Sequence, residues 1–274
     1  MVGDGGGGGE ADRGADFTHR WRVAIGLGRF FDEFEDLALT GGEAGIVGWA
    51  IWELGDTIFA ASSLTKAYTA LADKFQKAFP KIKVSLVFGS SSTLATQINN
   101  GAPADIFATA DVASMTSAAA EFPAPTNYVT NQVILAVPTN STINSFAGLN
   151  GSTKWVQCGH TVPCGAAADA GLKADGVVTS TPVSYESSDA NALAKLLAGT
   201  VDAALIFKTD VAANPTKLRA IPFAHADAAN TQYQIAMSNV KASVKNPWVK
   251  TVYAYFTATQ AKIFLKQSGF VVNP

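Results

Sequence analysis

From Thr57 onward, short apolar runs alternate with stretches whose apolar residues recur at three- and four-residue spacing. That is the pattern of strands alternating with amphipathic helices. Thr57 to Ala60 reads as a strand. After Ser62 and Ser63, the positions Leu64, Tyr68, Leu71 and Phe75 share one face of a helix. Val84 to Phe88 repeats the strand, Gly89 to Ser92 the hydroxyl-rich turn, and Leu94 with Ile98 the helix. Asp105 to Ala108 and Gln132 to Val137 are further strands, the second stopped by Pro138, which cannot donate to a ladder. Trp155 to Cys158 leads through Val162-Pro163-Cys164-Gly165 into an Ala-rich helix, and Pro163 suits its first turn. Ser187, Ser188 and Asp189 precede a helix carrying Leu193, Leu196 and Leu197, and Val201 to Phe207 is a buried-strand run. Asp189 reads as the cap of that helix, its side chain turned to backbone N–H groups. The alternation predicts an α/β fold with helices on both faces of mostly parallel sheets.

Composition limits what such a fold can do. The 274 residues are 48% hydrophobic and only 15% charged, against about 25% charged in an average soluble domain, so a sizeable core is available. A net charge of −2 offers no basic footprint for a phosphate backbone, and no nucleic-acid partner is expected. The longest apolar run, Ala44 to Leu54, is short and contains Glu53, which argues against a membrane-spanning helix of about 20 residues.

The charge is unevenly spread. Residues 1–55 hold ten Asp and Glu against four Arg, with no Lys, Ser, Asn, Gln or Pro; residues 56–274 hold twelve acids against sixteen Lys and Arg. Gly5 to Gly9 is an uninterrupted glycine run, which cannot bury enough side chain to offset the entropy of ordering it. Residues 1–55 are therefore expected to stand outside the folded domain, either disordered or the product of a misassigned start. Arg20 and Arg22 followed by Val23 to Leu27 make too short a run for an export signal, and Arg29 interrupts it.

The chemistry is concentrated at four helix starts lined by small or hydroxyl residues: Ser62-Ser63, Ser90-Ser91-Ser92, Cys164-Gly165 and Ser188-Asp189-Ala190. A helix N-terminus presents unpaired N–H groups and a partial positive charge, and so attracts an anion. Each serine taken singly is more simply a cap. Only convergence of the four would make a cage.

The blocks TIFAASSLTKAY (Thr57 to Tyr68) and GSSSTLATQINNGAPADIF (Gly89 to Phe107) resemble the periplasmic molybdate-binding proteins of ABC transporters. ATAD at Ala108 to Asp111, VPCG at Val162 to Gly165, SSDANAL from Ser187 and QAKIFLKQSGF from Gln260 to Phe270 extend the resemblance from about residue 56 to the end. It implies the two-lobed periplasmic-binding-protein fold, each lobe a mostly parallel sheet flanked by helices. Lobe one would be 56–134 with a return at 235–274, and lobe two 135–234. The crossovers would lie near Asn131 to Val137 and Gln234 to Ser238. One tetrahedral oxyanion would sit in the cleft, held by the hydroxyls and amides of Ser63 and Ser91 and by the amides of Cys164 and Ala190. Phe207 stands where the family often has a ligand tyrosine. The missing hydroxyl removes a donor worth about 1.5 to 3 kcal/mol to a charged group.

The resemblance further implies an extracytoplasmic, monomeric protein, in the periplasm or at the cell surface, with or without a lipid anchor. It would deliver molybdate or tungstate to a membrane permease, with no cofactor and no free metal cation. Metal–oxygen bonds longer than the S–O bonds of sulfate let a rigid cage sort these anions by size, but molybdate and tungstate are too alike to separate that way.

Cys158 and Cys164 are the two cysteines, spaced neither as a redox pair nor as half of a zinc site. A disulfide in an oxidising compartment is the expected state, with two reduced buried thiols as the alternative. Two other functions compete. A sulfate or phosphate carrier is one, although hydrogen phosphate calls for an acceptor of its proton and Arg219 is the only arginine after residue 29. A serine hydrolase ranks lower, because there is no G-x-S-x-G elbow and His19, His160 and His225 are not evidently paired with Ser63 or Ser91.

Overall fold

The computed structural model describes residues 55–240 and 246–272. The expectations for residues 1–55 fall outside these, Gly55 apart.

Among the described residues, six strand–helix units, three in each of two groups, build the walls of the molecule. Strand β1 (Gly55–Ala61) runs through a single 3-10 turn, Ser62–Leu64, into helix α1 (Thr65–Ala78). Strand β2 (Lys83–Gly89) leads into α2 (Ser91–Asn99), and β3 (Ile106–Thr109) into the short α3 (Val112–Ser117). The predicted face of α1 holds: Tyr68, Leu71 and Phe75 are buried with Ala67 and Ala72. Strands β2, β1 and β3 pair in parallel. Ile58 and Ala60 enter one apolar cluster and Phe59 another on the opposite side, so β1 is covered on both faces, as parallel strands are.

The second group repeats the scheme. Strand β5 (Trp155–Cys158) leads into α4 (Pro163–Ala174), β6 (Ser184–Glu186) into α5 (Asp189–Leu197), and β7 (Ala203–Phe207) into α6 (Lys208–Ala213). Strands β6, β5 and β7 are also parallel. Pro163 occupies the first turn of α4, where its missing N–H costs nothing.

Two long antiparallel strands join the groups. Strand β4 (Thr126–Pro138) pairs through Gln132 with β9 (Asn230–Met237), and from Val133 with β7 and with β8 (Leu218–Ile221). The changeover falls inside the Asn131 to Val137 span expected from the sequence. The return comes earlier than Gln234 to Ser238, because Asn230 already pairs with Gln132 and β9 continues along β3. Helices α7 (Trp248–Thr257) and α8 (Thr259–Gln267) and strand β10 (Val271–Val272), paired to β4, complete the first group. The sheet order is β2-β1-β3-β9-β4-β7-β5-β6. The architecture is therefore two parallel α/β lobes bridged by antiparallel crossover strands.

Candidate functional site

The four helix starts singled out in the sequence meet. Ser62 and Ser63 from the turn after β1, Ser90 and Ser91 at the head of α2, Pro163 and Cys164 at the head of α4, and Asp189 at the head of α5 line one cavity. Ala61, Gly89, Ala110 and Phe207 complete its wall. Its volume is about 10 Å3, against about 300–1,000 Å3 for sites that take drug-sized organic molecules. The space is about that of one water molecule and excludes organic ligands. First-turn amides that helices leave without internal acceptors, together with three dipole ends, surround it.

Of the residues expected to hold an anion, Ser63, Ser91, Cys164 and Phe207 are brought together in this wall. Ala190 is not in it. Its side chain is exposed, and the wall residue from that helix start is its neighbour Asp189. The cap of α5 is Ser188, whose Oγ accepts from the Asn191 amide at 3.2 Å. Asp189 is thus displaced from the capping role that its position invited, because Ser188 has the extended backbone a cap needs and Asp189 is already helical.

The serines are oriented by the protein. Ser91 is 1% exposed, and its Oγ accepts the Ala110 N–H at 2.9 Å, which leaves its own hydroxyl proton to point elsewhere. Ser90 and Ser92 bond to each other through their hydroxyls at 3.0 Å. The Ser63 Oγ lies 2.7 Å from the hydroxyl of Tyr233, a fully buried residue of β9 that carries no functional mark in the sequence. Among the described residues neither Ser63 nor Ser91 is bonded to a histidine: His160 pairs with Asp169 and His225 with Asp175.

A disulfide joins Cys158 at the end of β5 to Cys164 in the first turn of α4, with Cα atoms 5.7 Å apart. It closes the loop that presents Cys164 to the cavity. The two sulfurs and the Asp189 carboxyl lie within 4.8 Å of one another, but sulfurs bonded to each other are not available to a metal ion.

Among the described residues, Asp189 is the one ionisable group in the wall. Its Oδ1 accepts the Phe207 N–H at 3.1 Å, while its Oδ2, like Oδ2 of Asp210 on α6, is buried without a hydrogen-bond partner among the described residues. Burial pushes both upward, Asp210 well above the ordinary carboxylate range, where the charge of Asp189 adds to the effect.

Away from the site, Asp56 is pushed up to about 7, chiefly by burial and then by Asp105, against the Asn246 amide that bonds it. Groups raised in this way add stability that is complete below their unfolded pKa of about 3.9 and is lost as pH rises through the folded value. Two carboxylates are shifted the other way. Burial pushes Glu186 up, but Lys195 and Ser184 outweigh it and hold it low, and the His225 amide holds Asp175 low. Both of these are ionised, folded or unfolded, from about pH 5 upward. The thermal midpoint is therefore expected to fall as pH rises from about 5 to 8, and Asp56→Asn to flatten that fall. A midpoint that climbs across this range in a buffered melting series would contradict the assignment.

The sequence profile of the bacterial extracellular solute-binding proteins matches residues 57–271. The molybdate-binding protein ModA of Mycobacterium tuberculosis is 36% identical over 219 residues, covering 78% of this chain and 83% of that protein. Among solved structures, the periplasmic molybdate-binding protein of Azotobacter vinelandii aligns with a TM-score of 0.66 at 17% identity, over 80% of this chain and all of that one. The sulfate-binding protein SubI of M. tuberculosis aligns with a TM-score of 0.63 at 13% identity, over 80% and 88%. The fold is thus common to carriers of different oxyanions, and the choice of ligand rests with the site.

Proposed function

Because this chain belongs to the bacterial extracellular solute-binding proteins, of the molybdate-binding ModA type, we propose that it captures molybdate outside the cytoplasm and hands it to the permease of an ABC importer. The observation that carries this reading is one small cavity, among the described residues, lined by helix starts from both groups of strands. An anion bound there touches both lobes, so it favours their closed arrangement, and release requires only that the hinge strands β4 and β9 let them part. We take the lobes as residues 56–132 with 230–274, and 133–229, and assign residues 1–55 no part in binding.

Ser63, Ser91 and the Cys164 amide are the donors in this reading, the Ala190 amide a further one from the head of α5, and Phe207 an apolar wall. The chemistry of the donors favours a fully ionised anion. Asp189 has one oxygen taken by the Phe207 amide, and burial disfavours the charged form of its carboxyl, so it is a poor acceptor for the proton of hydrogen phosphate. Sulfate matches the donors but is the smaller ion. Tungstate is accepted as molybdate is, the two being nearly equal in size. The chain acts as a monomer, because one subunit supplies the whole cage.

Ligand linkage gives a direct check. A ligand at a hundred times its Kd stabilises the folded state by about 2.7 kcal/mol, which for a protein of this size is a rise of about 5–10 °C in midpoint. Molybdate is expected to produce that rise and an equal concentration of phosphate almost none. No shift with molybdate would sink the reading.

A further inference from the structure

Resting on the anion-binding reading above, we propose that Tyr233 is a positioning residue that sets the direction of the Ser63 hydroxyl proton. It does so through a hydrogen-bond relay running from the hinge strands to the cavity.

The polarity of the relay follows from its far end. The Asn131 Oδ1 accepts the backbone N–H of Gln132 at 2.9 Å, which fixes the other end of that amide as the donor. The Nδ2 then donates to Thr209 Oγ1 at 2.9 Å and to the Tyr233 hydroxyl at 3.3 Å. Tyr233, Asn131 and Thr209 are 0%, 3% and 5% exposed, so none of their polar atoms can turn to bulk water without cost. Having accepted from Asn131, the Tyr233 hydroxyl has one proton to place, and the acceptor in reach is Ser63 Oγ at 2.7 Å. Ser63 therefore accepts from Tyr233, and its own proton is left for the cavity whose wall it forms.

This is the arrangement an anion needs. A serine free to rotate would offer a lone pair to the anion in part of its population, and binding would have to select against that part. The relay makes the selection in advance. It also joins the lobes: Ser63 belongs to the first, Asn131 and Tyr233 to the crossover strands, and Thr209 to α6 of the second. The ring of Tyr233 is held edge-on by Phe207 and Phe270, at centroid distances of 6.1 and 5.3 Å, so its hydroxyl has little freedom to swing away.

The test is a double-variant cycle on the intact protein, with molybdate titrated calorimetrically into wild type, Tyr233→Phe, Ser63→Ala and the two combined. Tyr233→Phe keeps the packed ring and is expected to weaken molybdate binding about tenfold in the wild-type background, yet by less than about twofold where Ser63 is already alanine. Should that variant fail to fold, Asn131→Leu is used in its place. It removes the donor that fixes the relay, and its effect should likewise vanish without Ser63. Binding unchanged by Tyr233→Phe, or an equal loss with and without Ser63, would overturn the relay while leaving the function standing. Failure of the wild-type protein to bind molybdate would overturn both.

Discussion

Alanine in place of Ser63 or Ser91 lowers molybdate affinity by about tenfold to more than a hundredfold, the cost of one hydrogen bond to a charged group, about 1.5–3 kcal/mol. The two variants should differ in what else they lose. Ser63 is half-buried, and its removal leaves the Tyr233 hydroxyl to find another acceptor. Ser91 is almost wholly buried and satisfies the amide of Ala110. Ser91→Ala therefore also strands a buried N–H, at a further cost of about 1–3 kcal/mol in stability. Calorimetric titration beside thermal melting separates the two effects. If both variants bind as the parent does, these serines are caps alone and the anion is held elsewhere.

Gly165→Ala should damage fold and site together. A Cβ on Gly165 would lie 2.0 Å from the carbonyl oxygen of Gly159 and 2.6 Å from that of Cys158. Neither neighbour is a side chain that can swing aside. Both are backbone in the loop that the Cys158–Cys164 disulfide closes. A glycine inside a helix costs about 1 kcal/mol relative to alanine, and here it is the price of bringing the head of α4 against that loop. The methyl must push the first turn of α4 outward and take the Cys164 amide with it. Overpacking of this kind costs about 1–3 kcal/mol, or roughly 2–12 °C in midpoint, and molybdate affinity should fall by tenfold or more. An unchanged midpoint and affinity would show that the loop yields, and that the position of Cys164 is not what holds the anion.

Periodicity revealed the parallel parts of the fold and missed much of the antiparallel part. Strands such as Val84 to Phe88 and Val201 to Phe207 are apolar runs because helices cover them on both sides. The first half of β4 is mostly, and β9 half, made of Thr, Asn and Gln, yet Thr231 and Gln234 are buried, since these strands lie mid-sheet; Gln234 bonds Asn127 across it, and the Thr231 hydroxyl has no partner among the described residues. That composition carries no apolar period, so the extent of these strands is not legible in the sequence.

The site was legible as four separate helix starts. Their meeting was not, because it depends on strand order. Asp189 was misread because Ser, Ser and Asp in succession all have capping chemistry, and which one caps is decided by backbone angles. Tyr233 is 170 residues from Ser63 in sequence, and an aromatic in a strand carries no mark of what its hydroxyl touches. Phe207, which stands where the family often has a ligand tyrosine, lines the cavity.

The central claim is that this one cavity selects a tetrahedral metal oxyanion, and calorimetric titration of the intact protein with molybdate, tungstate, sulfate and phosphate tests it most directly. The account predicts one molybdate per chain, tungstate bound at the same site with similar affinity, and sulfate and phosphate bound at least a hundredfold more weakly, a gap of about 2.7 kcal/mol. Sulfate or phosphate binding as tightly as molybdate would contradict it.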